Sequence, residues 1–230
     1  MLIQSGRKLN DPVLLAFKNT SLAVESTFPG MIVSPLRTYP LMSQTTAQLA
    51  EIVEFLGQLW LYEVTGETLS GMQTEPFSEP YRELGGFIPD SADAAIVENL
   101  AIEYCELLVG PKGHVSPVQS VWSDHQYQSK TAASMNRFFE LIPDYQPDSN
   151  LSDHIGVQLD FLSAILRQSD DSAANEIASH FAKTHLQWTL KFFDKIESHT
   201  DSAFYLGLAK VTRNLIHTLP TTTEPNAASM

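Results

Sequence analysis

The chain is organised around the stretch EYCELLVGPKGHVSPVQSVWSDHQ, residues 103–126. A helical apolar pattern leads into it and stops at Gly110-Pro111, because proline has no amide to donate and the residue before it disfavours helical backbone angles. Residues 110–120 then contain two Gly, two Pro, one His and two Ser, which predicts a loop of defined shape between rigid helices, where functional residues concentrate. The apolar residues of the incoming helix are Ile96, Val97, Leu100, Tyr104, Leu107 and Leu108.

Length and composition predict one well-packed domain or a tightly fused pair. The chain has 230 residues, of which 43% are apolar and 18% are charged. Its single cysteine, Cys105, lies in an apolar helical pattern and has no internal disulfide partner, so we expect a core thiol in a reducing compartment. No apolar run long enough for a membrane span or a signal peptide is present, so we expect a cytoplasmic protein without stable membrane insertion.

The net charge of −13 is unevenly distributed. Residues 1–40 carry four basic and two acidic side chains, a net charge of +2, so residues 41–230 carry −15. Such an acidic body repels nucleic acid and anionic membranes and attracts basic peptides. The alternative is that the acidic surface serves only to keep the protein soluble. The charged residues of the first 40 are Arg7, Lys8, Asp11, Lys18, Glu25 and Arg37.

A first body helix is predicted to begin after Thr45. Thr45 and Gln48 have capping-box spacing, and apolar residues recur at helical intervals until Gly66 ends the segment. Those apolar residues are Leu49, Ile52, Val53, Leu56, Leu59, Trp60 and Val64.

The next segment, residues 66–90, is rich in Gly and Pro. It is predicted to be a connection with at most a short helix at residues 80–84. Asp90 or Ser91 is then placed to cap the helix that enters the central loop.

Four more helices are predicted after the central loop. The first covers residues 131–142, and the second begins with Ser152 or Asp153 as its cap. A long helix is predicted at residues 172–198, and Asp201 is placed to cap the last one.

The two ends of the chain have a different character. Residues 1–43 are predicted to form an N-terminal extension with a short helix and a Pro-rich arm, because Asn10-Asp11-Pro12 is typical of a helix start and three prolines follow. Residues 220–230 have nothing apolar enough to bury, so we expect a disordered tail.

No segment alternates polar and apolar residues between hairpin signals, and no Asn-Gly or Asp-Gly turn occurs. The fold class predicted is therefore all-α, with the helices forming a globular bundle. No internal repeat of fixed period supports a solenoid.

Three familiar kinds of site are not supported. His180 and His185 are five residues apart, whereas a helical zinc pair needs four, so no metal site is predicted. No Gly-x-Ser-x-Gly elbow marks a nucleophile. Residues 110–114 contain Gly, Pro and Lys but lack the Gly-Lys-Ser/Thr of a phosphate-binding loop.

A carboxylate and an imidazole stand side by side at Asp153-His154. Asp153 alone can serve as a helix cap with His154 exposed beside it. The pair can equally bind a peptide or a guanidinium at the mouth of a loop. Since no nucleophile is predicted nearby, binding is favoured over catalysis.

The central stretch resembles the first hallmark of the TorD/DmsD family of molybdoenzyme maturation chaperones, and the Asp153-His154 segment resembles the second. Matches to a later His-Leu-Trp pattern and to the last helix follow in order, which makes the resemblance specific. The residues of the first motif are Glu103, Tyr104, Leu107, Leu108, Gly110, Pro111, Gly113, Val115, Pro117, Ser120 and Trp122. The residues of the later motifs are Asp153, His154, Gly156, Leu159, Phe161, Leu162, His185, Leu186, Trp188, Phe204, Tyr205, Leu208 and Ala209.

The resemblance begins near residue 44 and predicts a TorD-like helical chaperone domain at residues 44–219, with a hinge candidate at 143–152. Its opening helix carries Phe55, Leu56, Gly57, Leu59, Trp60 and Tyr62. Gln158 stands where the family often has a glutamate, and Leu151-Ser152 stand where it often has a proline. These departures affect which enzyme the protein is expected to bind, and not the fold that is expected.

The resemblance implies a cytoplasmic chaperone that binds the twin-arginine leader and the apo-form of a molybdopterin oxidoreductase and delays export until the cofactor is inserted. Two arginines followed by an apolar segment require carboxylates beside an apolar surface, which the acidic body can supply. The residues expected to bind the leader are Asp153, His154, Gly156, Gly110, Pro111, Pro117, Ser120, Trp122, Trp60 and Tyr62, although core packing accounts equally for the aromatic ones.

No catalytic residue, metal or cofactor is predicted, and the acidic body predicts no nucleic acid partner. Some members of the family bind guanine nucleotide or dimerise by exchanging helical halves. For this chain either a monomer or a helix-swapped homodimer is therefore expected, with exchange at residues 143–152.

Two alternatives belong to other classes of protein. One is a nucleotide hydrolase or a His/Asp-dependent hydrolase that uses the loops at 110–120 and 153–156. The other is a structural adaptor that binds a partner through the Pro-rich arm at residues 29–40.

Overall fold

The computed structural model describes residues 46–75, 77–168 and 172–218. The predicted N-terminal extension at residues 1–43 and the predicted tail at 220–230 lie outside the described residues.

The described residues form α-helices with no β-strand, which confirms the all-α prediction. Two short π-helical turns interrupt this helical chain, π1 (Cys105–Val109) and π2 (Ala182–Leu186). The α-helices are α1 (Thr46–Leu61), α2 (Gly66–Met72), α3 (Ser78–Glu83), α4 (Ala94–Tyr104), α5 (Gln119–Ser123), α6 (Lys130–Phe139), α7 (Ile155–Leu166), α8 (Ser172–Phe181), α9 (Thr189–Glu197) and α10 (Ala203–Thr218).

Helices α1 and α7 form the central pair of the bundle and run antiparallel. Glu54 at the middle of α1 pairs with Arg167 just past the end of α7, whereas Leu61 at the end of α1 lies against Gly156 at the start of α7. The two backbones meet at Gly57 and Gly156, where a Cβ added to Gly156 would lie 2.6 Å from the Gly57 carbonyl oxygen. Side chains at these two positions would force the helices apart.

One continuous apolar core surrounds this pair and extends from α1 to α10. Trp60 of α1 is fully buried against Phe192 and Phe193 of α9, and its indole N–H donates to the Thr212 hydroxyl of α10 at 3.0 Å. Because buried aromatic rings supply large apolar areas, these contacts fix α9 and α10 against the central pair.

Several helix boundaries differ from the prediction in the first half of the chain. Gly66 does not end the first helix but begins α2, because the Thr65 hydroxyl caps it by accepting from the Thr68 amide at 3.1 Å. The predicted connection therefore contains two short helices, α2 and α3, rather than at most one. Asp93, not Asp90 or Ser91, caps α4 by accepting from the Ile96 amide at 3.1 Å.

The second half shows similar local differences. The predicted long helix at residues 172–198 is divided by π2 into α8 and α9. The last helix is capped by Ser202 rather than Asp201, since the Ser202 hydroxyl accepts from the Tyr205 amide at 3.4 Å. Within the described ranges, none of the helices combines the length and the apolar character needed to cross a bilayer.

We expect Gly156→Ala to destabilise the fold by about 1–3 kcal/mol, because the new methyl group would overlap the Gly57 carbonyl and force α1 and α7 apart. Chemical denaturation followed by circular dichroism measures this change. Gly66→Ala is the matched control, since the nearest atom to its added Cβ is 3.7 Å away. Equal denaturation midpoints for the two variants would contradict the proposed helix contact.

Candidate functional site

The two loops predicted to contain the site meet directly. Val118 and His154 form an isolated antiparallel bridge. The Gln119 amide donates to the Asp153 carbonyl at 2.9 Å, and the Ile155 amide donates to the Pro117 carbonyl at 2.8 Å. The loop of the first motif is therefore joined by backbone hydrogen bonds to the start of α7.

Asp153 holds this junction with its side chain. Its carboxylate is 1% exposed, and Oδ2 accepts from the Ser120 amide at 2.7 Å. The predicted role of Asp153 as the α7 cap is therefore wrong, because its side chain turns away from that helix to the other loop. The second carboxylate oxygen and the Ser120 hydroxyl are buried without a hydrogen-bond partner in the described part of the chain.

His154, not Asp153 or Ser152, caps α7. Its Nδ1 accepts from the Gly156 amide at 3.0 Å, which leaves the proton of the neutral ring on Nε2. Burial lowers the pKa of His154 to about 4. The side chain is 6% exposed, so the interpretation of His154 as an exposed residue beside a capping aspartate is also wrong.

A buried polar network connects this junction to the third motif. The side-chain oxygen of Gln119 accepts from Gln158 at 2.7 Å and from Nδ1 of His185 at 2.9 Å. The indole N–H of Trp188 donates to the Gln158 oxygen at 3.0 Å. Nε2 of His185 then accepts from the Ser134 hydroxyl at 3.2 Å, so the network reaches α6.

Gln158 occupies the position where the family often has a glutamate. An amide donates and accepts at once, so Gln158 can bond Gln119 and Trp188 together, whereas a carboxylate could only accept. The network is complete without a buried charge at this point. Burial also lowers the pKa of His185 to about 4, which keeps that ring neutral.

The three aromatic residues predicted to line the site lie in different environments. Trp60 is a core residue with no exposed surface and lines no accessible site. Trp122 is half-buried, with its indole N–H donating to the Ser116 carbonyl at 2.7 Å and its ring against Trp188. Tyr62 is 44% exposed.

The remaining predicted residues divide in the same way. Pro117, Ser120 and Gly156 are buried and shape the loop junction. Gly110 follows π1, where its amide donates to the Cys105 carbonyl at 2.6 Å, and Pro111 next to it is exposed. The loop is closed behind them by the Val115 amide, which donates to the Leu107 carbonyl at 2.7 Å.

An exposed surface with apolar and acidic side chains borders this junction, and we name it the Glu63 patch. It joins the end of α1 to one face of α4 and π1, because the Cys105 thiol lies 3.6 Å from the Glu63 carboxylate and the Tyr104 hydroxyl donates to the Leu61 carbonyl at 3.0 Å. Its members are Tyr62, Glu63, Ile102, Cys105, Glu106 and Val109.

Cys105 belongs to this patch rather than to the core. The thiol was expected to be buried, but the side chain is exposed. Leu107 and Leu108 enter the core on the same face as Leu100 and Tyr104. Cys105 follows Tyr104 by one position, which turns it away from that face and towards Glu63. Partial burial, followed by the Glu63 carboxylate, raises the pKa of the thiol.

The hydrolase alternative is not supported. Nδ1 of His154 is occupied by the Gly156 amide, and the Ser120 hydroxyl has no hydrogen-bond partner in the described residues. The described loops thus contain no hydroxyl activated by this histidine. Across residues 46–75, 77–168 and 172–218, no group of three or more His, Cys, Asp or Glu side chains is placed to hold a metal ion.

Sequence reasoning missed Gln119 and Glu63. Gln119 lies within the first motif, but no spacing rule marks it as the centre of a network that depends on residues 39 to 66 positions away. Glu63 follows the predicted first helix and is one of many acidic residues, so only its contact with Cys105 distinguishes it.

Parts of this chain are similar to known proteins. A family model described as nitrate reductase delta subunit matches residues 73–195, which include both loops and the His185–Trp188 segment. Chaperone protein YcdY of Escherichia coli (strain K12) is 25% identical over 117 residues, which are 51% of this chain and 61% of that protein. The match thus spans about three fifths of that relative's length.

A crystal structure of a candidate redox enzyme maturation protein from Archaeoglobus fulgidus is also similar. The alignment covers 83% of this chain and 98% of that chain, with 16% sequence identity and a TM-score of 0.46.

We expect acid to weaken the fold through His154. In the unfolded chain the His154 ring binds a proton near pH 6.5, whereas in the folded chain it does so only near pH 4. The free energy of unfolding therefore falls as the pH drops from 6.5 to 4. The loss attributable to this residue reaches about 3 kcal/mol at full titration.

His154→Asn tests this effect, because asparagine keeps a capping acceptor but does not titrate. Denaturation midpoints measured between pH 7.5 and 4 should fall less steeply for the variant than for the wild type. Parallel curves would show that His154 is not held neutral by the fold.

Proposed function

Because this chain belongs to the nitrate reductase delta subunit family, the family of the TorD/DmsD chaperones, we propose that it is a cytoplasmic chaperone for the maturation of a molybdopterin-containing oxidoreductase. Its partners would be the twin-arginine leader and the apo-form of that enzyme. Holding both would delay export until the cofactor has been inserted.

One observation carries this proposal. The two motif loops meet at the end of the bundle where the exposed Glu63 patch begins. A twin-arginine leader presents two guanidinium groups followed by an apolar segment. Guanidinium groups bind carboxylates through paired hydrogen bonds, and an apolar segment requires exposed apolar side chains. The patch offers both kinds of group beside the loops.

The residues of the site would then have two roles. Tyr62, Pro111 and Trp122 are accessible or partly so and are proposed to touch the leader together with Glu63 and Glu106. All five residues lie at the end of α1, in π1, or in the loop and short helix that follow π1, and the loop junction holds these segments in place. Their proposed contacts are with the arginines and with the first apolar residues of the leader.

The buried members of the predicted site would act mainly by positioning the loops. Asp153 and Ser120 tie the loops together, and His154 and Gly156 fix the start of α7. Asp153 also keeps one carboxylate oxygen without a partner in the described part of the chain. That oxygen would accept from a leader arginine if binding opened the junction.

Holding the apo-enzyme requires a larger contact than a leader peptide makes. A leader alone covers one end of the bundle, and the acidic body provides further surface for steering a basic partner. Guanine-nucleotide binding and a homodimer made by exchanging helices across residues 143–152 stay predictions.

We expect the double variant Glu63→Gln/Glu106→Gln to bind a twin-arginine leader peptide about tenfold more weakly, or by about 1.4 kcal/mol, because two carboxylates would lose their guanidinium partners. Isothermal titration of the purified chain at moderate salt measures this affinity. Replacing the two leader arginines by lysine should weaken binding to the wild type. It should also reduce the difference in affinity between the wild type and the double variant.

Glu79→Gln/Glu83→Gln is the matched control, since it removes the same charge from two exposed side chains of α3. Equal affinities for all three proteins would exclude the Glu63 patch as the leader site. Absence of leader binding to the wild type at low and moderate salt would contradict the proposed function itself.

A further inference from the structure

The basic N-terminal segment contains a pattern that is chemically close to the proposed ligand. Residues 1–45 carry a net charge of +2 in a protein whose total is −13. Within them, Arg7-Lys8 is an adjacent basic pair, and the apolar run Val-Leu-Leu-Ala-Phe follows at residues 13–17. A basic pair followed by an apolar run is also the general chemistry of a twin-arginine leader.

The acidic charge of the body is concentrated in the part of the sequence that contains the Glu63 patch. Residues 46–129 contain thirteen Asp or Glu against Arg82 and Lys112, a net charge of −11, whereas residues 130–230 contain twelve against eight, a net charge of −4. The first of these regions supplies all six patch residues. Charge complementarity therefore favours contact between a basic segment and the carboxylates of this region, which include Glu63 and Glu106.

The patch also provides apolar contacts at the same place. Tyr62 is 44% exposed, Ile102 is 51% exposed and Val109 is 62% exposed. These three are half of the large apolar side chains that are exposed in the described residues. An apolar run such as residues 13–17 would cover them, while the preceding basic pair would face Glu63 and Glu106.

The connecting chain is long enough for this contact. The described structure begins at Thr46, at one end of α1, and the patch lies at the other end of that helix, about 24 Å away for 16 residues. Phe17 precedes Thr46 by 29 positions, and a chain of that length reaches about 100 Å when extended. The connecting chain is therefore long enough for residues 7–17 to reach the patch.

From these observations we propose that residues 7–17 dock on the Glu63 patch of the same chain and compete with the leader. This inference rests on the proposed function, because the competition exists only if the leader uses the same patch. The docked segment would keep the exposed apolar residues covered until a leader displaces it.

Intramolecular docking makes even a weak contact effective. At an effective concentration of about 1 mM, a segment with an intrinsic Kd of about 0.1 mM would weaken leader binding about tenfold. The leader of a client enzyme would then need more than a basic pair and an apolar run to bind. The segment would thus raise the selectivity of the chaperone for true leaders.

The first test uses the single cysteine of the full-length chain. A short crosslinker that joins a thiol to an amine should connect Cys105 to Lys8 within one chain, and peptide mass spectrometry identifies the product. Arg7→Glu/Val13→Asp keeps both reacting groups but should abolish most of this product. Arg37→Glu/Val33→Asp is the matched control, which makes the same two changes elsewhere in the segment and should leave the product unchanged.

The second test measures the affinity of the same three proteins for a twin-arginine leader peptide. Arg7→Glu/Val13→Asp should bind about tenfold more tightly than the wild type, because the internal competitor is lost. The control should bind as the wild type does.

The two tests separate the inference from the proposed function. Leader binding of equal affinity in all three proteins, with no Cys105–Lys8 product, would overturn the inference and leave the function standing. A Cys105–Lys8 product formed only between two chains would also overturn it, in favour of docking by a second copy. If none of the three proteins binds the leader, the proposed function is wrong, and the proposed competition between residues 7–17 and the leader is wrong with it.

Discussion

The close contact of α1 and α7 is the constraint on which the rest of the structure depends. Gly57 and Gly156 allow the two backbones to meet, with 2.6 Å between the Gly57 carbonyl oxygen and the place a Gly156 side chain would take. This contact sets where α7 begins, and therefore where the Asp153-His154 loop lies relative to the end of α1. The second motif therefore requires glycine at position 156, since any side chain there would displace the loop.

Buried polar groups then fix the loops on this frame. Asp153 binds the Ser120 amide, and Gln119 joins Gln158 to His185. A buried polar group left without its partner costs about 1–3 kcal/mol, so such a network penalises every other arrangement of the loops. The three motifs can therefore be understood as one hydrogen-bonded junction, and the surface beside it is the part available to a partner.

Much of this could be predicted from the sequence, and the failures have common physical causes. Apolar periodicity correctly placed the buried face of α1, together with Leu100 and Tyr104 of α4, because helical burial depends on local spacing. The role of Asp153 was predicted wrongly, because its hydrogen bond goes to Ser120, 33 residues away, rather than to the adjacent helix. Cys105 was placed in the core because it stands among apolar residues, but it follows the buried Tyr104 by one position and is therefore turned away from the apolar face towards Glu63.

The location of the leader site is tested most directly by mapping backbone amide chemical shifts while the full-length chain is titrated with a twin-arginine leader peptide. If the leader binds as proposed, the shifts will concentrate at the Glu63 patch and the loop at residues 110–120. In the free protein, the amides of Ser120 and Gly156 should be protected from hydrogen exchange, because they lie in the buried junction. Shifts confined to α8 and α9, or early exchange of those two amides in the free protein, would contradict the account.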